Sequence, residues 1–237
     1  MSNTDYDPIV ARATAAGRGG IGIIRVSGST QALSVICEAL FPGKVLKPRT
    51  AFLLPVRSPA GDLIDQVVVL KFQGPHSYTG EDVLEIQAHG GPAVLQMIQS
   101  RVLEVGAAVE LRLAEPGEFS KRAFLNGRMD LTQAEAVADL IDAGSASAAR
   151  AAARSLQGVF SQKVYEIAEH LTNLRAYVEA TLDFPEEDID FINDGRVARQ
   201  VDDILKELTD LEKRALYGKV LRDGLTVVMA GAPNVGK

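Results

Sequence analysis

The sequence predicts an α+β domain followed by an all-α domain, and three observations support this division. In the first part, short β-branched runs alternate with turns rich in Gly, Pro, Ser and Asp, which is typical of strands. From about Gly117, apolar residues recur every three or four positions, which indicates amphipathic helices. Near the end, an apolar run enters a glycine-rich loop. We therefore expect three segments, 1–118, 119–220 and 221–237.

The first segment contains five runs with the composition of strands, at residues 21–26, 51–56, 64–72, 83–88 and 107–113. Two helices are expected between them, at about residues 31–40 and 92–105. Pro92 suits the first position of the second helix, where its missing N–H has no helical partner. Because strands and helices are mixed, this segment predicts an α+β domain with a mixed sheet.

The second segment has helical periodicity throughout. Thr132 and Glu135 have the spacing of a capping box, which marks a helix start. An apolar seam over residues 149–182 then predicts one long helix of about 50 Å, which Pro185 ends. A second seam covers residues 197–215. We expect these two helices to form an antiparallel pair within a bundle.

Composition limits the functions that the chain can have. The net charge is −6, so no overall field attracts nucleic acid. Cys37 is the only cysteine, which excludes an internal disulfide and fits a reduced, cytoplasmic setting. No apolar run approaches the ~20 residues that span a bilayer, so no membrane is expected. The segment 183–194 holds six acidic residues; a solvated loop and a divalent-metal site both remain open.

The last residues carry the clearest motif. Residues 231–237, Gly-Ala-Pro-Asn-Val-Gly-Lys, fit G-x-x-x-x-G-K after a strand-like run. In a P-loop, backbone N–H groups surround the phosphates, and the lysine reaches the β- and γ-phosphates. The Ser or Thr that holds Mg²⁺ would follow Lys237. The alternative is an ordinary glycine-rich turn after a strand.

Three further groups could bind a ligand. Residues 17–22 fit G-x-G-x-x-G, but a strand follows them, so we interpret them as a loop entering a strand that carries Arg25. Arg25 could bind an anion or form a structural salt bridge. Glu85 could accept two hydrogen bonds from an N–H-rich heterocycle, or be an exposed strand residue. A basic cluster suits a phosphate or carboxylate, or is ordinary helix surface; it consists of Lys121, Arg122 and Arg128.

Six sequence blocks, taken in order, resemble the MnmE (TrmE) family of bacterial tRNA-modification GTPases, and the resemblance covers the N-terminal half of that family. The blocks are GRGGIGIIR at 17–25, YTGED at 78–82, HGG at 89–91, PGEFS with RAFLN at 116–126, DFP at 183–185 and the P-loop start at 231–237.

The resemblance implies a fold and an activity. The family has an N-terminal domain similar to folate-binding aminomethyltransferase domains, which dimerises and binds 5-formyltetrahydrofolate or a methylene-tetrahydrofolate. A helical domain follows, into which a Ras-like GTPase domain is inserted. With a flavin-containing partner, MnmG (GidA), the family adds a carboxymethylaminomethyl group to C5 of the wobble uridine of certain tRNAs. Folate supplies the one-carbon unit, and GTP hydrolysis requires K⁺ and Mg²⁺.

The resemblance also implies roles for particular residues. Its folate contacts fall on Arg25, Glu85 and Arg128. Its GTP contacts fall on residues 234–237, namely Asn234, Val235, Gly236 and Lys237, and Asn234 is the expected potassium ligand. No catalytic residue of the GTPase falls within this sequence, so we expect this polypeptide not to hydrolyse GTP. Two alternatives remain, a stand-alone folate-dependent one-carbon transferase and a non-enzymatic tRNA-docking and dimerisation scaffold.

Overall fold

The computed structural model describes residues 6–183, 195–223 and 230. Contacts divide the chain into two compact units, with the division between Met129 and Asp130. The first unit contains all the strands that the structure describes, and the second contains only helices. The expected order, an α+β domain followed by a helical one, is therefore confirmed.

The first unit is built on a six-stranded mixed sheet in the order β3-β4-β5-β2-β1-β6. Neighbouring strands are antiparallel except β1 and β6, which are parallel. The strands are β1 (Ile9–Arg12), β2 (Gly19–Gly28), β3 (Phe52–Arg57), β4 (Leu63–Phe72), β5 (Asp82–Gly90) and β6 (Arg112–Leu113).

Two helices, α1 (Thr30–Leu40) and α2 (Pro92–Gly106), pack on one face of this sheet and form its core. Ser29 caps α1 by accepting a hydrogen bond from the N–H of Ala32, and Pro92 begins α2 as the sequence predicts. Alternate residues of the central strands point into this core, so their neighbours in the sequence point to the opposite face. That opposite face, which we call the open face, carries the candidate site.

The predicted strands at 21–26, 51–56, 64–72 and 83–88 are confirmed, but the strand at 107–113 is wrong over most of its length. The chain leaves α2 through a 3₁₀ turn at Ala107–Val109, and Glu110 then adopts a left-handed conformation. Only Arg112–Leu113 pairs, with Ile9–Val10 of β1. The sequence did not reveal β1, because four residues after a polar start give too short a pattern.

Helix α3 (Glu118–Leu125) completes the first unit, and the second unit consists of α4 (Leu131–Asp142), α5 (Ala146–Leu156), α6 (Val159–Asp183) and α7 (Arg196–Asp223). The single helix expected over 149–182 is wrong, since it is divided into α5 and α6. Gly158 lies at the break with φ +81°, a conformation that L side chains rarely adopt.

The expected capping box is also displaced. Asp130, rather than Thr132, is the N-cap of α4, and its carboxylate accepts from the N–H of Gln133 at 2.8 Å. The Gln133 side chain in turn accepts from the N–H of Asp130 at 2.9 Å. The helix therefore starts two residues before the position that the Thr-Glu spacing indicates.

Helices α6 and α7 run antiparallel, as expected. His170 faces Glu207, with Nδ1 and Oε2 3.2 Å apart, while Tyr177 further along α6 stacks under Arg196 at the start of α7. A small apolar cluster joins the two helices. Within the described helices, none combines the length and apolar composition that a bilayer crossing needs. The acidic residues 184–194 lie outside the described part of the chain, so their two interpretations stay predictions.

Candidate functional site

Arg25 and Glu85 form an ion pair at the centre of the open face. They are direct partners in the antiparallel register of β2 and β5. Nε and Nη2 of Arg25 both reach Oε1 of Glu85, at 2.9 and 2.8 Å. Both side chains are half-buried, with 26% and 14% of their surface exposed. The structural salt bridge left open for Arg25 is therefore present, and it involves the other ligand candidate, Glu85.

The pair keeps hydrogen-bonding capacity that the protein itself does not use. Within the described residues, Oε2 of Glu85 and Nη1 of Arg25 have no hydrogen-bond partner. A carboxylate accepts and a guanidinium donates, so one acceptor and one donor lie side by side on the open face. A ligand with adjacent N–H and carbonyl groups on a planar edge matches this arrangement.

Two aromatic rings hold the guanidinium of Arg25. Its carbon Cζ lies 5.3 Å from the ring centre of Tyr78 and 5.9 Å from that of Phe119. These distances are within cation–π range, where ring and cation attract each other. The Tyr78 hydroxyl lies 2.9 Å from Oγ of Ser120, the residue after Phe119. The rings therefore come from two separate segments that are joined by this hydrogen bond.

Arg128 packs against the segment that follows Tyr78. Its side-chain stem packs over Gly80, where an added Cβ would lie 3.1 Å from Cγ of Arg128. Gly80 also has φ +83°, so the backbone there both requires glycine and leaves room for the arginine. Arg128 is exposed, and among the described residues its guanidinium has no ion pair or hydrogen bond. Arg25, Glu85 and Arg128 all lie in the first unit, and the first two are in direct contact.

The basic cluster predicted at residues 121–128 does not form as expected. Arg122 is only 3% exposed, and its guanidinium contacts Glu81, Glu118 and the backbone carbonyl of Asp7. It is therefore unavailable to an external phosphate or carboxylate. Lys121 is exposed on α3. The physical reason is helical geometry, since neighbouring residues of α3 point to different sides of the helix.

His89 is the last residue but one of β5, just before the turn to α2, and it is paired. Its Nδ1 lies 2.8 Å from Oδ1 of Asp65, and its backbone N–H donates to Oδ2 at 2.9 Å. Burial alone raises the pKa of Asp65, but these contacts and the N–H of Gln66 together hold that pKa below its usual value. Among the described residues, no cluster of three or more His, Cys, Asp or Glu side chains could hold a metal ion.

Comparison with known proteins is consistent with this geometry. The model of the "GTP-binding protein TrmE N-terminus" matches residues 8–128, and that of the "MnmE helical domain" matches residues 131–227. The chain belongs to the MnmE (TrmE) family. Both the fold class and the resemblance inferred from the sequence are thereby confirmed.

Curated relatives support the same assignment. Proteins named "tRNA modification GTPase MnmE" from Acidovorax sp. (strain JS42) and Pseudomonas fluorescens are each 54% identical to this chain, over 233 and 235 residues. One from Vibrio parahaemolyticus is 54% identical over 231 residues. These alignments cover 98–99% of this chain but only 49–50% of the relatives. The chain therefore spans about half the length of the MnmE proteins that it matches.

The MnmE resemblance also named nucleotide and potassium ligands, which the structure does not address. Asn234, Val235, Gly236 and Lys237 lie outside the described residues, so their roles in binding GTP and K⁺ remain predictions.

Sequence reasoning also missed part of the site. Phe119 carried no signal of its own, because its contact with Arg25 joins residues that are 94 positions apart. Tyr78 lay within a dense polar stretch, but nothing in its spacing indicated a ring over Arg25. The Asp65 partner of His89 was missed for the same reason.

Proposed function

We propose that this chain is the folate-binding and dimerising half of a tRNA-modification GTPase. The proposal rests on the chain's membership of the MnmE family, on the names of its relatives and on the candidate site. The ligand is a reduced folate, 5-formyltetrahydrofolate or its methylene counterpart, and Arg25, Glu85 and Arg128 are its contacts.

The observation that carries the proposal is the unused donor and acceptor of the Arg25–Glu85 pair. A pterin ring has an edge with two adjacent N–H donors beside a carbonyl acceptor. Oε2 of Glu85 can accept from those N–H groups, and Nη1 of Arg25 can donate to the carbonyl. Because the pair is half-buried, such charge-assisted hydrogen bonds are stronger than they would be in water.

Arg128 suits the other end of a folate. The glutamate tail of the ligand carries carboxylates, and an exposed guanidinium binds a carboxylate with two parallel hydrogen bonds. Arg128 packs over Gly80, two residues after Tyr78, while its charged end remains in solvent. In this arrangement the Arg25–Glu85 pair binds the pterin ring of the ligand, and Arg128 binds its glutamate tail.

The activity of the whole protein extends this proposal. A homodimer acts with the flavin-containing partner MnmG and adds a carboxymethylaminomethyl group to C5 of the wobble uridine of tRNA, in the cytoplasm. The folate supplies the one-carbon unit. GTP binds at Asn234, Val235, Gly236 and Lys237 with Mg²⁺ and with K⁺ on Asn234. The support for these steps is the name of the relatives together with the sequence resemblance.

Calorimetric titration of the chain with 5-formyltetrahydrofolate tests the proposal. Glu85→Ala removes the acceptor and leaves Arg25 without its ion-pair partner. The dissociation constant should rise about 30- to 1,000-fold, which corresponds to about 2–4 kcal/mol for a lost charge-assisted contact.

Glu104→Ala is the matched control. Glu104 also carries an ion-paired carboxylate, 2.8 Å from Arg101, but it lies on α2, which packs on the opposite face of the sheet. Its affinity for the folate should equal that of the wild type. Equal affinities of the wild type and Glu85→Ala would show that Glu85 is not part of the site. If the wild type did not bind 5-formyltetrahydrofolate at all, the proposed ligand would be wrong.

A further inference from the structure

Four charged residues, two of them buried, form a network next to the candidate site, and the proposed ligand contacts do not include them. We call it the Arg122 network; its members are Glu81, Arg112, Glu118 and Arg122. Arg122 and Glu118 are 3% and 7% exposed. Arg112 donates to Glu118 through two nitrogens, at 2.6 and 2.8 Å. Arg122 donates to Glu118 at 3.0 Å and to Glu81 at 3.1 Å.

One end of the network holds the segment that precedes β5. Oε2 of Glu81 accepts a hydrogen bond of 2.6 Å from Ser27 of β2, and Ser27 lies 2.6 Å from the hydroxyl of Thr79. The side-chain amide of Asn126, just after α3, donates to the carbonyl of Thr79 at 2.8 Å. Tyr78, whose ring packs on Arg25, is therefore held immediately beside these contacts.

The other end of the network holds the start of α3. Glu118 is the first residue of that helix, and Phe119, whose ring also packs on Arg25, follows it directly. Burial alone raises the pKa of Glu118, but Arg112, the N–H of Glu115 and Arg122 outweigh this and lower the pKa to about 2. Glu118 is thus held as a carboxylate by several contacts at once.

The pairing of its charges makes this geometry hard to change. Between them, the two arginines contact both glutamates, Arg122 also donates to the carbonyl of Asp7 at 2.7 Å, and the Asp7 carboxylate lies 3.5 Å from Nε of Arg112. A buried charge without a partner is strongly unfavourable, so neither end can move without leaving a charge uncompensated. Buried ion pairs add little net stability compared with apolar packing. A role in fixing positions explains the network better than a role in stability.

We propose that Arg122 is a positioning residue for the ligand site, which holds the rings of Tyr78 and Phe119 against Arg25 and so sets the affinity for reduced folate. Arg122 joins the Tyr78 segment, through Glu81, to the α3 segment, through Glu118. Loss of that link lets the two rings separate, and Arg25 then loses its fixed orientation towards Glu85. The affinity part of this inference rests on the proposed folate function, and the positional part does not.

Phe119→Trp provides a reporter for the positional part, because the chain contains no other tryptophan. In this background, Arg122→Lys keeps the positive charge but loses the planar fork that contacts Glu81 and Glu118 together. We expect the tryptophan emission to shift to longer wavelength and the dissociation constant of 5-formyltetrahydrofolate to rise about tenfold. The Phe119→Trp chain is the reference for both measurements, because Phe119 itself packs on Arg25.

Ile98→Val controls for general loss of stability. Ile98 is fully buried in α2, on the opposite face of the sheet, and this change removes one methylene from the core. It should lower the unfolding temperature without changing either the emission or the affinity. If Ile98→Val changed both as much as Arg122→Lys does, the network would be merely structural and the proposal would be wrong.

Ser27→Ala tests the same link more gently if Arg122→Lys does not fold. It removes the Ser27 contacts with Glu81 and Thr79 but leaves every charge paired. We expect a smaller shift of emission and about a threefold loss of affinity. Unchanged emission and affinity in every variant that folds would overturn the proposal. If the wild type binds no folate, the proposed ligand fails, and the emission alone decides whether Arg122 positions Phe119.

Discussion

The two units of the chain differ in how completely they bury their own apolar side chains. Among the described residues, all the large side chains with less than 2% exposure belong to the sheet unit. In the helical unit, the α6–α7 cluster contains only Ile167, Leu174 and Ile204, each 8% exposed. Ile141 of α4, by contrast, is 78% exposed. The sheet unit therefore has a complete core, whereas the described helices leave apolar faces in solvent.

This difference shows where a ligand site can be held rigidly. The Arg25–Glu85 pair lies on central strands whose opposite side is a packed core, and a packed core holds side chains in fixed positions. The described helices of the second unit share a small buried cluster. We conclude that the packed core of the sheet unit provides a rigid support for the candidate site.

The same Ile→Ala substitution in the core of each unit should give the largest difference in unfolding free energy. Ile36→Ala, in α1, removes a fully buried side chain from the sheet unit and should cost about 3–5 kcal/mol of unfolding free energy. Ile204→Ala, in α7, removes a side chain from a small cluster and should cost about 1–2 kcal/mol. Urea unfolding measures both losses, and hydrogen exchange of backbone amides assigns each to its unit. Equal losses would contradict the comparison.

Carboxylates in the two units should respond differently to acid. The Glu118 pKa is held at about 2 instead of 4.5 in the folded chain, so its contribution is present above about pH 5 and is lost as pH falls towards 2. Glu118→Gln should cost roughly 2–3 kcal/mol at neutral pH, and the difference from the wild type should shrink over that range.

Glu166→Gln is the counterpart in the helical unit. The pKa of Glu166 is lowered by a hydrogen bond from Lys163, but this carboxylate lies in solvent, where water and salt screen the pair. Its removal should leave the unfolding midpoint nearly unchanged at every pH. If the stability lost in the two variants depended on pH in the same way, burial would not explain the difference between Glu118 and Glu166.

Removal of a helix cap should cause the smallest loss of stability, and the loss should be the same in both units. Ser29 caps α1 and Ser145 caps α5, each accepting from the N–H three residues later, at 3.2 and 3.1 Å. Replacement of either by Ala should cost about 1 kcal/mol, because a cap satisfies a local N–H whatever the core beneath it. Thermal unfolding of the two variants measures this. A markedly larger loss for Ser29→Ala would show that the caps also depend on the core.

The fold was predictable from the sequence wherever the pattern was long. Strands β2 to β5 have enough alternating residues to be recognised, and the two-domain order follows from the change of period. The pattern failed where a single residue decides the structure. Gly158 divides α5 from α6 within an unbroken apolar seam, and Glu110 turns the chain before β6. Such backbone conformations leave no trace in hydrophobic periodicity.

The site was predictable only in part. Arg25, Glu85 and Arg128 were named from motifs, but the contact between Arg25 and Glu85 depends on the register of β2 against β5, which periodicity does not give. Arg122 was expected on the surface because it lies beside Lys121, and the structure buries it. Whether a charge has a partner depends on residues distant in the sequence, here Glu81, 41 positions away.

The parallel pairing of β1 with β6 has a consequence for the order in which the protein is made. Ile9 pairs with Arg112, so the early strand has no partner on that side until about a hundred further residues leave the ribosome. At about 5–20 residues per second, this is a delay of roughly 5–20 s. During that time the strand edge exposes unpaired backbone groups, which other chains can bind. Nascent chains of this protein should therefore need protection by a chaperone most at this stage.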